Sequence, residues 1–220
     1  SEAGGASEAG GASEAGGAGA WGKDARLLAP PSERVPIYLG AMSPKMLALG
    51  GELADGVLAL LYPPEHYPVA LAQIAAGRTR SGRQPAAVDV PACVWVSVDE
   101  DRDLAVRPLA EKLAFYGPAF APYLLARAGL APEDFAPAAG ALLRGDTNEA
   151  VRLITPEMLR LGIAGTPDDV VERCTGLVRQ GATHLSFGPP LGPDPLRAVT
   201  LLGQTVVPRL RAERARSTQP

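Results

Sequence analysis

Apolar positions along this chain fall into short unbroken runs that alternate with stripes of helical spacing, and the alternation predicts an α/β protein. Val35 to Leu39 is an apolar run with β-branched and aromatic members that stops at Gly40, which reads as a buried strand. Ser43 then offers a helix cap and Pro44 suits the first helical position, while Met46, Leu49 and Leu53 recur on one face. Gly50 and Gly51 weaken that helix, and Asp55-Gly56 ends it before a second run, Val57 to Leu61. Tyr67 to Arg80 is predicted as a helix with Leu71, Ile74 and Ala75 inward. Val88 to Val98 is the third strand. Its even positions are all apolar, and Cys93, Trp95 and Ser97 occupy the other side, the pattern of a strand covered on both faces in a parallel sheet.

Asp99 is expected to cap an acidic helix start, and from Leu104 to Leu161 the composition is helical but interrupted by Pro108, Pro118, Pro122, Pro132, Pro137 and Pro156. This stretch, about 104–161, is read as several short helices inserted before the fourth strand. Thr166-Pro167-Asp168-Asp169 is a helix start, followed by the stripe Val170, Val171, Cys174, Leu177 and Val178 and a stop at Gly181. His184 to Phe187 is the fourth strand, Gly188 opens a rigid loop, and Asp194-Pro195 starts a last helix reaching about Arg211 despite Pro208. The result is four βα units, half of a (β/α)8 TIM-type barrel, which takes ~250 residues when complete.

Residues 1–18 are three copies of SEAGGA, followed by Gly19 and Ala20. With no large apolar residue this segment, 1–20, is expected to be a disordered linker or tail. Trp21 to Arg34 reads as an irregular approach; residues 21–211 form the folded part and 212–220 a disordered tail. The 24 acidic and 21 basic residues, nearly balanced, favour neither nucleic acid nor a charged membrane surface. No apolar run approaches the ~18 residues of a membrane helix and nothing resembles a signal peptide, so a cytoplasmic protein is expected. Cys93 and Cys174 are expected as buried thiols; no Cys/His cluster suggests a metal site, and none is expected.

Chemistry concentrates in the turn Gly40-Ala41-Met42-Ser43-Pro44. A small-residue turn opening a helix leaves backbone N–H groups free and adds the positive end of the helix dipole, which suits a phosphate, and Lys45 adds a full charge. The same geometry also occurs as an ordinary capped helix. His66, beside Tyr62, Glu65 and Tyr67, is either an acid–base group or an ordinary loop histidine. The arginines of Arg78 to Arg83 are read as a solvated helix end, with an anion site as the alternative. Phe115, Tyr116, Phe120 and Tyr123 either pack helices or line an entrance. No Ser-His-Asp order or carboxylate pair points to a hydrolase.

Pro36, Gly40, Ala41, Pro44, Lys45 and Met46, followed by Ala54, Asp55, Gly56 and Val57, resemble the fifth-strand region of the luciferase-like superfamily of flavin and deazaflavin oxidoreductases. Residues 163–195, ending in FGPPLGPDP, are similar to the last helix and strand of its methylenetetrahydromethanopterin reductase branch. The resemblance covers about Trp21 to Arg211 and implies that the four units are strands five to eight, without the first four. It implies a cofactor, coenzyme F-420 or alternatively FMN, held at Gly40, Ala41, Met42, Ser43 and Lys45 with its ring towards Gly188 and Pro189. It also implies hydride transfer to or from a small organic substrate. Alternatives are an FMN-dependent monooxygenase using oxygen, and an inactive half-barrel or cofactor-binding module. Two open strand edges favour a homo-oligomer or pairing with a missing N-terminal half.

Overall fold

The structure, a computed structural model, describes residues 34–217, with side chains to 215. The SEAGGA repeats, the approach from Trp21 and residues 218–220 lie outside the described residues.

The first strand, β1 (Tyr38–Gly40), runs parallel to β2 (Gly56–Leu58), with Tyr38 opposite Gly56 and Gly40 opposite Leu58. The apolar runs predicted longer strands; the flanking residues Val35, Ile37 and Leu60 are exposed and unpaired in the ladder. Between the strands lies α1 (Pro44–Leu53), and α2 (Tyr67–Arg80) packs against it, with the bounds that the pattern predicts for α2. The close approach rests on glycine. A Cβ on Gly77 would stand 1.8 Å from the Ala48 carbonyl oxygen, and one on Gly51 2.1 Å from that of Ile74. Gly51 therefore weakens α1 as an isolated helix but lets α2 seat on it.

The strand β3 (Ala92–Val98) is buried at every residue. It lies between β4 (Ile163–Gly165) and β5 (Leu185–Leu191), all parallel, in the order β4-β3-β5. The described residues thus hold five strands in two parallel sheets, not one row of four. The sheets meet at a bridge between Gly56 and Asp89, where Val57 N–H donates to the Asp89 carbonyl (2.9 Å), and Tyr62 N–H donates to that of Cys93 (2.6 Å). The pattern missed β4 because a three-residue strand with one large apolar side chain carries no periodicity. It also ended the last strand too early. β5 runs on through Gly188, Pro189 and Pro190, with a cis bond between the prolines, and its register slips between Trp95 and Ser97. Prolines lack the N–H of a ladder bond, so they sit where the pairing is irregular.

On one side of β3, Val94, Val96 and Val98 join the core formed with Val170, Val171, Cys174 and Leu177 of α8 (Pro167–Arg179). Thr166 caps α8 reciprocally: its N–H donates to the Asp169 carboxylate (2.7 Å) and its hydroxyl accepts from Asp169 N–H (3.4 Å). Cys93 and Cys174 are buried free thiols, and burial pushes Cys174 up to about 12. Trp95 belongs to a second core with Leu109 and Leu113 of α3 (Arg102–Tyr116), with Phe135, and with Ala138, Ala150 and Met158 from the short helices that follow. Those are α4 (Pro122–Leu125), α5 (Ala136–Leu143), α6 (Thr147–Arg152) and α7 (Pro156–Leu159).

Three details differ from expectation. Asp101, not Asp99, caps α3 by accepting from the N–H groups of Asp103 and Leu104, because a cap must directly precede the first helical residue. Pro108 lies inside α3 without ending it; the residue whose carbonyl it deprives of a partner, Leu104, is exposed. The last helix divides into α9 (Pro195–Leu201), a π turn over Leu202–Val206, and α10 (Val207–Ser217). Val207 N–H donates to the Leu202 carbonyl, a wide turn placed just before Pro208, where no N–H is available. α10 takes in residues 212–217, assigned from the sequence to a disordered tail.

Replacing Gly77 by alanine is expected to lower the unfolding free energy by about 1–3 kcal/mol through overpacking against α1. Gly176→Ala, in α8 with nothing within 4 Å of the added Cβ, is expected instead to stabilise by up to about 1 kcal/mol. Urea unfolding of both variants checks the contrast.

Candidate functional site

The parallel strands put the turns that carry chemistry at their C-terminal ends. After β1, Ala41 N–H donates to the Leu58 carbonyl (3.3 Å) and Leu47 N–H to that of Ser43 (2.8 Å). The N–H groups of Met42, Ser43, Lys45 and Met46 have no partner among the described residues, and the Ser43 hydroxyl makes no capping bond. A Cβ on Gly40 would meet only the Leu58 carbonyl oxygen, at 3.9 Å, so packing does not demand glycine here and the space above the strand end is open. Gly40 is exposed, Met42 and Ser43 are half-buried, and Ala41 is buried. Four free donors, two on either side of Pro44, stand at the positive end of α1, an arrangement that suits an anion. Lys45 is exposed and lines a groove of about 270 Å³ between α1 and α2 with Pro44, Ala48, Gln73 and Arg80.

After β2, the chain carries buried polar groups. His66 is 3% exposed, so it is not the open loop residue that its neighbours suggest. Its N–H donates to the Pro63 carbonyl (2.8 Å), its ring lies 6.0 Å from that of Tyr123, and its Nδ1 is buried without a partner among the described residues. Burial, and then the charge of Arg127, draws the imidazole below its ordinary pKa. Tyr62 is fully buried with an unpartnered hydroxyl, and burial raises its pKa. Tyr67, pushed up to about 12 chiefly by burial, donates to the Val90 carbonyl (2.8 Å). Glu65 accepts through Oε1 from Arg160 (3.0 Å) and Arg173 (3.1 Å), while its Oε2 is buried and unpartnered.

At the end of β3, Ser97 is fully buried and its Oγ has no partner. The sequence places Ser97 to Glu100 on the active face after the third strand but assigns Ser97 no role; a hydroxyl at the C-terminal end of an otherwise apolar strand was the available signal. Arg160 and Arg173, which fix Glu65, carried no signal at all, since they come together only in the fold. Gly188 and Pro189 lie within β5, with Gly188 opposite Trp95, and not in the loop beyond it; the strand ends at Leu191. β2 and β3 stand between β1 and β5, so Gly40 to Ser43 and Gly188 to Pro189 do not adjoin.

Other sequence candidates take structural roles. Arg83 donates to the carbonyls of Gly51 (3.2 Å) and Ala54 (2.7 Å), closing the C-terminal end of α1, and Arg80 pairs with Glu52. Asp55 accepts from Ile37 N–H (2.8 Å) in the turn before β2. His184, at the opposite ends of the strands, places Nδ1 2.9 Å from the Asp89 carboxylate, which also accepts from the Tyr38 hydroxyl (2.8 Å). Phe120 is buried against Trp95, whereas Phe115 is exposed.

Residues 12–184 match the sequence profile of the luciferase-like monooxygenase family. The chain belongs to that family. Within it, the chain is 38% identical over 183 residues to a 5,10-methylenetetrahydromethanopterin reductase of Archaeoglobus fulgidus, covering 80% of this chain and 55% of that one. A reductase of the same name from Methanopyrus kandleri is 35% identical over 178 residues, covering 80% and 51%. The solved structure of the coenzyme F420 dependent tetrahydromethanopterin reductase from Methanopyrus kandleri superposes with a TM-score of 0.74, over 80% of this chain and 51% of that one. An F420-dependent secondary alcohol dehydrogenase, 20% identical with a TM-score of 0.59, shares the fold. The chain spans about half the length of the relatives it matches. No helix among the described residues is long and apolar enough to cross a membrane.

Because burial disfavours protonated His66, the unfolded chain takes up the proton more readily than the folded one. Stability is then full above the ordinary histidine pKa of about 6.5 and falls as pH drops through it. The urea midpoint is expected to fall more between pH 7.5 and 5.5 in the parent than in His66→Gln.

Proposed function

We propose that this chain is the C-terminal half of an eight-stranded luciferase-like barrel and serves an oxidoreductase that transfers hydride with coenzyme F420 on a small organic substrate. The observation that carries the reading is the row of free N–H groups at Met42, Ser43, Lys45 and Met46, at the strand end where a phosphate-bearing cofactor would bind. The relatives named for F420 or for methylenetetrahydromethanopterin support that cofactor over FMN.

The residues present fit a phosphate: donors on either side of Pro44, an open space over Gly40 and an unused Ser43 hydroxyl. The deazaflavin would supply the redox chemistry. The protein's share is to bind, orient and exclude water. Met42 to Met46 would hold the phosphate through the main chain. His66, neutral near pH 7, and the Tyr62 and Ser97 hydroxyls would hold protons close to the strand ends, where a reacting group changes charge.

The exposed residues Ile37, Tyr38, Leu58 and Leu60 support pairing with a further half of the barrel, because strand edges flanked by apolar surface favour association. Light scattering of the 220-residue chain is expected to give a mass above that of one chain, rising with concentration; a clean monomer with cooperative melting would sink this expectation.

Titration of the purified chain with F420 and separately with FMN, followed by cofactor fluorescence, is expected to show tighter binding of F420. Ser43→Pro, which removes one of the donors, should weaken it by about tenfold, the value of a hydrogen bond to a charged group. Preference for FMN would replace the F420 assignment with that of a flavin enzyme, and binding of neither would leave a half-barrel without cofactor function.

A further inference from the structure

Lys112 lies on the C-terminal half of α3, over Trp95 in the middle of β3. Its ammonium stands 4.3 Å from the centroid of the Trp95 indole and 5.3 Å from that of the Tyr116 ring. Tyr116 and Phe120 close around the same indole, at 5.3 and 5.6 Å. The neighbouring arginines have acidic partners: Arg102 has Asp169, Arg107 has Glu111, Arg160 and Arg173 share Glu65, and Arg197 has Glu100. Lys112 has none among the described residues; its half-buried charge rests on aromatic faces alone. Rings attract a cation but do not neutralise it. Burial accordingly draws its pKa down.

Trp95 shares its side of β3 with Ser97, one pleat nearer the C-terminal end, where the buried Oγ is without a partner. Beyond the indole is Gly188, where an added Cβ would press on the ring at 3.3 Å. A cation without a counter-ion among the described residues and an orphaned hydroxyl therefore both belong to the side of β3 that carries the Trp95 indole.

We propose that Lys112 is the specificity-determining cation of this site, receiving an oxyanion of the substrate, a carboxylate or phosphate, as its ammonium leaves the faces of Trp95 and Tyr116. The substrate class is thus anionic, and this rests on the reading of the strand ends as the substrate side of an oxidoreductase. Ser97 would donate to the same oxyanion or to an atom beside it.

The indole reports the event directly. The chain has 2 tryptophans, so Trp21→Phe leaves Trp95 as its sole indole emitter. In that background, inorganic phosphate and acetate are titrated at constant ionic strength set with chloride. A saturable change in Trp95 emission is expected, weakened at least tenfold by Lys112→Met and retained by Lys112→Arg, with the melting transition of each variant confirming that it folds. No response beyond the chloride control, or an undiminished response in folded Lys112→Met, overturns the proposal. F420 titration of the same variants separates this from the functional reading. F420 binding without an anion response removes only the role of Lys112, whereas an anion response dependent on Lys112 without F420 binding removes only the cofactor assignment.

Discussion

A strand buried on both faces must find partners for its backbone along both edges, since no water reaches them. β3 meets that requirement with β5 along one edge, and with β4 and the Tyr62 N–H along the other. Its valines commit α8 to one face, and Trp95 commits α3 and the inserted helices to the opposite one. The two cores are separate clusters with β3 as their common wall. The positions of Ser97, Lys112 and the turn after β2 follow from that arrangement.

Part of the periodic architecture was legible in the sequence, but in α1 the predicted stripe Met46, Leu49 and Leu53 is exposed, and Leu47, Ala48, Gly50 and Gly51 form the buried face. α2 and α8 start and stop where apolar spacing, proline and the Thr166-Asp169 box place them, and the two-faced pattern of β3 announced its burial. What escaped detection lacked periodicity. β4 is three residues long, and Pro189 and Pro190 read as loop although irregular pairing accommodates them within β5. Asp99 and Asp101 lie in one acidic run, and only the position of the first helical turn decides which one caps it.

The site was legible in part. The turn Gly40 to Ser43 announced itself by small residues ahead of Pro44, a local signal. His66 was visible as a residue, but the Tyr123 ring beside it and the Arg127 charge that helps lower its pKa arrive from the inserted helices. The link from Glu65 to Arg160 and Arg173 spans 95 and 108 residues, and the placement of Lys112 over Trp95 joins a strand to the following helix. A linear pattern does not encode such pairings. Membership of the luciferase-like family supplies the wider frame.

At the far ends of the strands, the Asp89 carboxylate joins the Tyr38 hydroxyl to the His184 ring, across separations of 51 and 95 residues. Contacts of such sequence separation close large loops, and the entropy of closure is lost before any bond is gained. The knot of three side chains therefore ties the first strand pair to the start of β5 at a cost in chain entropy that local contacts do not carry. β3 and β5 pair across the whole helical insertion, and long-range parallel pairing of this kind raises contact order, the topological quantity that slows folding.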